Sequence, residues 1–246
     1  MFKLGLLGKN IDYSFSRGYF SKKFEAEELS CTYENFDIED ISDFEHLLKT
    51  HPDISGLNVT IPYKEQIIPY LDTLDKKAKK IGAVNTITIN SKGKLKGHNT
   101  DCYGFKKSIK PFLKSHHKKA LILGTGGASK AIAYTLKKLK IKYDYVSRQK
   151  SDSVKFTYDD LTIDHIKSYK VIINCTPLGT HPNINSCPNL PYDGISNKHL
   201  VFDLIYNPEE TKFLKIAKLQ GASTINGYQM LVFQAEKSWK IWNLYS

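Results

Sequence analysis

Apolar and polar positions along the chain assign strands and helices in turn. Residues 3–8 have the apolar density of a buried strand, and residues 17–28 follow as a helix. A second strand is predicted at 31–35, then a helix at about 43–49, opened by Ser42-Asp43-Phe44-Glu45 in the form of a capping box. Residues 54–60 read as a third strand, and Pro62 suits the first turn of a helix after it. Two further strands, 83–90 and 94–97, are joined by the polar turn Ser91-Lys92-Gly93.

A helix at 101–113 leads into the basic stretch Ser115-His116-His117-Lys118-Lys119. Ala120-Leu121-Ile122-Leu123 is a continuous apolar run, which suits a strand covered on both faces. The change of character places a domain boundary near residues 101–118. Beyond it come a helix at 129–139, strands at 143–147, 171–175 and 200–206, and a helix at 211–219. The last helix, 228–242, carries Met230, Leu231, Phe233, Trp239 and Trp242 as its apolar set. Strands and helices in alternation predict an α/β protein of two domains built on parallel sheets.

Composition narrows the function without naming it. The 246 residues are 41% hydrophobic and 25% charged, as in ordinary folded proteins. No run of about eighteen apolar residues occurs, and the first residues do not have the form of a signal peptide, so no membrane association and a cytoplasmic location are expected. Cys31, Cys102, Cys175 and Cys187 show no C-x-x-C spacing, which predicts neither a metal site nor a disulfide framework. The net charge of +11 comes from lysines scattered in pairs rather than from an arginine-rich block. That pattern is read as a solvated surface that gathers anions, not as a nucleic-acid interface.

Chemistry enters with Gly124-Thr125-Gly126-Gly127-Ala128-Ser129, which follows an apolar strand and opens a helix. A tight turn without side chains, ending in helix N–H groups, is what a dinucleotide pyrophosphate requires, so the second domain is expected to be Rossmann-type. The next strand ends Val146-Ser147-Arg148-Gln149-Lys150, with a hydroxyl and cations where an NAD enzyme places a carboxylate. Asp144 falls three residues short of that tip, so NADP(H) is the expected cofactor. A hydride acceptor needs a proton donor for the nascent alkoxide and groups that fix the substrate. The first domain offers Ser14 and Ser16, Asn58, Thr60 and Lys64, Asn85 and Thr86, and Asn99 and Asp101, all near strand-to-loop junctions. Each alone also fits a cap, a turn or a solvated lysine.

These segments closely resemble the shikimate dehydrogenase family across essentially the whole chain. The resemblance rests on Ser14-Phe15-Ser16, Asn58-Val59-Thr60-Ile61-Pro62-Tyr63-Lys64, Ala83-Val84-Asn85-Thr86 and Asn99-Thr100-Asp101. It continues through the glycine loop, Asn174-Cys175-Thr176-Pro177-Leu178-Gly179, Asp203-Leu204-Ile205-Tyr206-Asn207-Pro208 with Thr211, and Gly227-Tyr228-Gln229-Met230-Leu231 with Gln234-Ala235. It implies a reversible reduction of 3-dehydroshikimate to shikimate, within chorismate and aromatic amino-acid biosynthesis. Lys64 would protonate the 3-oxygen, with Asp101 as its catalytic partner. Ser14 and Ser16 would hold the carboxylate, and Asn58, Thr60, Asn85, Tyr206 and Gln234 would line the rest of the substrate site. Gly126, Gly127 and Ala128 would contact the pyrophosphate, Arg148 the 2′-phosphate, and Thr176 and Gly227 the nicotinamide side. Gly124, Ser147 and Leu204 complete the cofactor set. The implied domains are 1–101 for substrate and catalysis, 102–226 for NADP, and 227–246 returning to the first domain as a helix.

Several positions depart from the family pattern. Arg17-Gly18 follows Ser16 where proline is usual, and Tyr13 stands where histidine is common. Ser147-Arg148-Gln149 replaces Asn-Arg-Thr, Thr180 replaces the methionine after Gly179, and the chain ends soon after Trp242. A quinate or shikimate dehydrogenase using NAD or NADP is the alternative, although both serines favour shikimate. A non-enzymatic NADP-binding regulatory module or a basic nucleic-acid binder would have no need of Lys64 and Asp101. Monomer and homodimer are both compatible with the sequence.

Overall fold

The computed structural model describes residues 2–12 and 14–243; Tyr13, noted above, lies outside the described residues. The chain folds into two compact units, Met1–Thr100 with Ala235–Ser246, and Asp101–Gln234.

In the first unit, β1 (Phe2–Gly8), α1 (Phe15–Ala26), β2 (Cys31–Asp37), α2 (Phe44–Thr50) and β3 (Ile54–Val59) form an alternating run. Then come β4 (Thr73–Leu74), α3 (Lys76–Ile81), β5 (Thr86–Ile89) and β6 (Leu95–His98). The strands form one sheet in the order β2-β1-β3-β5-β6-β4. Its period-2 pattern is two-sided: Leu4 and Leu6 pack with Phe20, Tyr33 and Trp242, whereas Leu7, Leu57 and Val59 pack with Phe44 and Ile67 on the other face.

Three sequence expectations change here. The sheet is mixed: β5 runs antiparallel to β3 and β6, because the turn Ser91-Lys92-Gly93 reverses the chain within a hairpin. Residues 61–67 form successive turns instead of a helix, with a cis Ile61–Pro62 bond. The Lys64 carbonyl, which a helix would need, instead accepts the Val84 N–H at 2.7 Å. The proposed capping box is also absent. Asp40 accepts the Ser42 N–H and starts a 3-10 turn over Ile41–Asp43, so the chain is already helical when it reaches α2.

The mixed sheet has a functional consequence. Because β5 is reversed, the ends of β1, β3 and β6 and the beginning of β5 all lie along one edge of the sheet. Ser14, Thr60 and Lys64, Asn85, and Thr100 are carried by the segments that leave or enter this edge.

The second unit contains α4 (Asp101–Ile109), β7 (Lys119–Leu123), α5 (Gly127–Lys138), β8 (Lys142–Ser147), β9 (Val154–Thr157) and α6 (Ile163–Ser168). It continues with β10 (Val171–Asn174), β11 (Leu200–Asp203), α7 (Lys212–Leu219), β12 (Ser223–Ile225) and α8 (Tyr228–Trp242). Its sheet is wholly parallel, in the order β12-β11-β10-β7-β8-β9. This is the Rossmann order, with the topological switch between β7 and β10. Ala120 and Ile122 face one side and Leu121 and Leu123 the other, all without exposure, as helices on both faces require.

The last helix belongs to both units. Met230 lies in the core of the second unit, whereas Ala235 and Trp242 lie in that of the first. Its buried stripe is Met230, Gln234, Ala235, Ser238, Ile241 and Trp242, at helical spacing. Leu231, Phe233 and Trp239, expected in that stripe, are only partly buried. Phe233 instead lies beneath the Lys107 ammonium, 4.3 Å from it. No helix among the described residues is long and apolar enough to cross a membrane.

Candidate active site

In the first unit, Ser14 is the N-cap of α1, its hydroxyl oxygen accepting the Ser16 N–H at 3.2 Å. Capping uses only a lone pair, so the hydroxyl can still donate to an anion at the positive end of this 12-residue helix. Ser16 is buried in the first turn of the same helix. Its hydroxyl neighbours the phenol of Tyr33, whose pKa is pushed up by burial and held back by that contact. Tyr33 therefore stays neutral and donates to Asn58 Oδ1 at 2.8 Å.

Asn58 is 4% exposed, and its amide is committed within the protein. Its Nδ2 lies 3.1 Å from the Asn85 carbonyl, 3.2 Å from Thr86 Oγ1 and 3.0 Å from Ser238 Oγ. Asn85 Nδ2 donates to Thr100 Oγ1 at 2.9 Å, and its Oδ1 accepts the Thr100 N–H at 2.7 Å. Asn99 donates to the Ala83 carbonyl at 3.0 Å. These bonds lock the start of β5 to the segment that follows β6. Asp101 comes directly after Thr100 and is 5% exposed as the first residue of α4. Thr60 and Lys64 are half-buried beyond the end of β3. Sequence reasoning overlooked Tyr33, Thr100 and Ser238 as functional residues. Two of them carried a signal: Thr100 lies inside the Asn99-Thr100-Asp101 segment, and Ser238 is one helical turn after Gln234.

The second unit presents the features of a nucleotide site at the carboxyl ends of its strands. Gly124 has φ +96, in the left-handed region that favours glycine. The helix α5 then starts at Gly127, with Gly126 as an N-cap that no side chain closes. A Cβ on Gly126 would meet nothing within 4 Å, so the backbone there is open to an approaching group. Open glycine backbone and uncapped helix N–H groups fit a dinucleotide pyrophosphate. Gly127 and Ala128 are half-buried in the first turn.

Ser147 ends β8 and Arg148 is exposed directly after it. Asp144 lies within β8, and its carboxylate accepts from the Tyr169 hydroxyl and the Lys155 ammonium. The strand tip thus offers a guanidinium, which suits a ribose 2′-phosphate.

A buried polar network supports the loops after β10 and β11. The Thr176 N–H and hydroxyl both donate to Asn174 Oδ1, at 3.0 and 2.6 Å. Asn174 Nδ2 donates to Asp203 Oδ1 at 3.0 Å, and the Thr211 hydroxyl donates to Asp203 Oδ2 at 2.6 Å. Burial pushes the Asp203 carboxyl up to about 6, against these donors. Leu204 and Tyr206 follow Asp203 and are half-buried. Gly227 donates its N–H to the Ile205 carbonyl, and a Cβ there would collide with the Leu204 carbonyl, so only glycine fits. Gln234 is buried on α8, with Nε2 2.9 Å from the Leu231 carbonyl. Among the described residues no cluster of His, Cys, Asp and Glu could hold a metal ion.

Comparison with known proteins gives a consistent result. A family model described as the shikimate dehydrogenase substrate binding domain matches residues 6–87. The shikimate dehydrogenase (NADP(+)) of Methanosphaera stadtmanae is 39% identical over 255 residues, covering 96% of this chain and 89% of that protein. A solved shikimate dehydrogenase from Aquifex aeolicus has a TM-score of 0.87 and 34% identity, covering 99% of this chain and 92% of its own. The Thermus thermophilus shikimate 5-dehydrogenase, solved in complex with NADP(H) and shikimate, has a TM-score of 0.87 and 27% identity over 98% of this chain and 93% of its own.

Proposed function

The chain belongs to the shikimate dehydrogenase family, and on that footing we propose that it interconverts 3-dehydroshikimate and shikimate with NADP(H). The reaction is a step toward chorismate and the aromatic amino acids. The observation that supports this reading is the sheet edge of the first unit, where the segments carrying Ser14, Thr60 and Lys64 leave β1 and β3 and the reversed β5 adds Asn85. In this reading the first unit, Met1–Thr100 with Ala235–Ser246, is the substrate-binding domain, and the second, Asp101–Gln234, binds the nucleotide and contributes Asp101 at its start.

Ser14 and Ser16 bind the substrate carboxylate through hydroxyl donors at the N-terminus of α1, and Thr60, Asn85, Tyr206 and Gln234 bind the ring hydroxyls. Asn58 acts from behind, holding the Asn85 strand in place. NADPH supplies the hydride. Lys64 donates a proton to the 3-oxygen during reduction and removes it in the reverse direction, with Asp101 as its catalytic partner. The pyrophosphate is bound by Gly124, Gly126, Gly127 and Ala128, the 2′-phosphate by Ser147 and Arg148. Thr176, Leu204 and Gly227 shape the nicotinamide side. Preference for NADP is supported by the exposed Arg148 and by the engagement of Asp144 with Tyr169 and Lys155. The cytoplasm, as a monomer or homodimer, is the setting assigned to it in this reading.

Oxidation of shikimate and of quinate, each with NADP+ and NAD+, tests the assignment. Turnover is expected with shikimate and NADP+; no shikimate oxidation with either nucleotide would refute it. Lys64→Ala should lower kcat by about 100-fold or more while leaving NADP+ affinity intact, and a variant that keeps most of its turnover would remove Lys64 from its role.

A further inference from the structure

Ser238 lies on the buried face of α8, without exposure, at the centre of the polar row behind the substrate edge. Its hydroxyl is 3.0 Å from Asn58 Nδ2, 2.8 Å from Thr86 Oγ1 and 3.1 Å from Thr100 Oγ1. These partners belong to the end of β3, the start of β5 and the segment after β6. One side chain thus ties the helix to three of the segments that carry the proposed substrate residues. A hydroxyl offers one donor and two acceptor sites, so it can accept from Asn58, accept from one threonine and donate to the other. Alanine would supply none of these, and the buried partners would have to re-form their bonds among themselves, shifting the row.

The same helix is held at a second point. Trp242, one turn further on, donates its Nε1–H to the Ile87 carbonyl at 2.9 Å. Two hydrogen bonds a turn apart on one face fix the rotation of a helix about its axis, whereas apolar contacts alone allow it to slip. Gln234 lies one turn before Ser238 on that face, about 6 Å along the helix. Thr100, the other end of the Ser238 contact, immediately precedes Asp101. We infer that Ser238 is a positioning residue for the substrate, whose hydroxyl sets the direction of Gln234 and the placement of the Asn58, Asn85 and Thr100 row. It touches neither substrate nor cofactor.

This inference rests on the assigned function, and the test separates the two. Wild-type turnover of shikimate is measured first; its absence counts against the function itself. Given turnover, Ser238→Ala should raise the KM for shikimate about five- to tenfold, with the KM for NADP+ within about twofold, since its buried hydrogen bonds are removed from the substrate side only. Thr100→Val removes the same contact from its other end together with the acceptor of Asn85 Nδ2, so the shikimate KM should rise at least as much. Because the two share one contact, the double variant should lose less than the sum of the singles. Should Ser238→Ala fail to fold, Thr100→Val carries the kinetic test. Exchange of the Thr100 amide, bonded to Asn85, reads the row without any turnover and should accelerate in Ser238→Ala. An unchanged shikimate KM, a parallel rise in both KM values, additive losses in the double variant, or unaltered Thr100 exchange would each overturn the role of Ser238.

Discussion

Asp203 is a carboxylate that the fold buries completely at the end of β11. Its Oδ1 accepts from Asn174 Nδ2 at 3.0 Å and from the Ile205 N–H at 3.1 Å, and its Oδ2 accepts from the Thr211 hydroxyl at 2.6 Å. Burial outweighs these donors and raises the carboxyl from 3.8 to about 6. In the window between those values the native state holds a proton that the unfolded chain has released. Stability therefore falls as pH rises through the window and levels off above it. At 1.36 kcal/mol per pH step, the loss by neutral pH is about 3 kcal/mol.

Asp203→Asn removes the charge while keeping the shape. The amide oxygen can retain the bonds from Asn174 and Ile205. Its nitrogen then faces the Thr211 hydroxyl, which already accepts the Leu214 N–H, so one donor conflict costs about 1–2 kcal/mol. The variant should therefore be less stable than wild type by at most about 1 kcal/mol near pH 4.5, where wild type has already lost about 1 kcal/mol, and more stable by about 1–2 kcal/mol at pH 7. Urea denaturation of both proteins across this range, followed by circular dichroism, gives the difference, and titrations common to both cancel. A stability difference that does not change with pH would refute the reasoning, because it would mean that Asp203 folds without a proton-linked cost.

Two further outcomes follow from local geometry. His117 and His199 each accept a backbone N–H at Nδ1, from Lys114 and Ser196 at 3.0 Å, and face a carbonyl with Nε2. Both therefore carry their proton on Nε2, and burial lowers both pKa values, so their contribution to stability is complete above about pH 6.5 and is lost as pH falls through the folded values. Imidazole NMR should show two Nε2–H rings protonating below the ordinary imidazole value; an ordinary midpoint at either would contradict this. Gly227→Ala should destabilise the protein by about 1–3 kcal/mol, because its Cβ would meet the Leu204 carbonyl. Gly126→Ala, with nothing in its way, should leave the thermal midpoint unchanged and weaken NADP+ binding, and the opposite pattern in calorimetry would displace the glycine loop as the cofactor site.

The nucleotide half was the more legible part of the sequence, for a physical reason. A strand buried on both faces needs an unbroken apolar run, and the turn after it needs glycine, so Ala120–Leu123 and Gly124–Gly127 announce both the element and its use. In the first unit, periodicity marks β5 as a strand but carries no sign of its direction, which depends on pairing with β3 and β6. Residues 61–67 looked helical after Pro62 because no local signal shows that the Lys64 carbonyl is claimed by Val84, twenty residues away. Asp40 took the capping role expected of Ser42 for a similar reason: both are good N-caps, and only the packing of the following turn chooses between them.

Asn58, Asn85 and Thr86 were legible as polar residues at strand-to-loop junctions, but the buried row they form with Thr100 and Ser238 was not. Asn58, Asn85, Thr86, Thr100 and Ser238 are all buried, yet a hydrophobic pattern assigns every one of them to the surface. Such residues can leave water only because each one's polar atoms are answered by the others, a condition set by distances across four separate segments. For α8 this inverts the reading: Gln234 and Ser238 occupy the inner stripe while Phe233 and Trp239 are displaced toward its flanks. A buried polar stripe on a helix adds nothing to apolar burial, so the sequence retains it at a cost that packing alone would not justify. In this chain the stripe places Ser238 against Asn58, Thr86 and Thr100, so a position that apolar packing could have filled is given to a hydroxyl that joins three segments of the sheet edge.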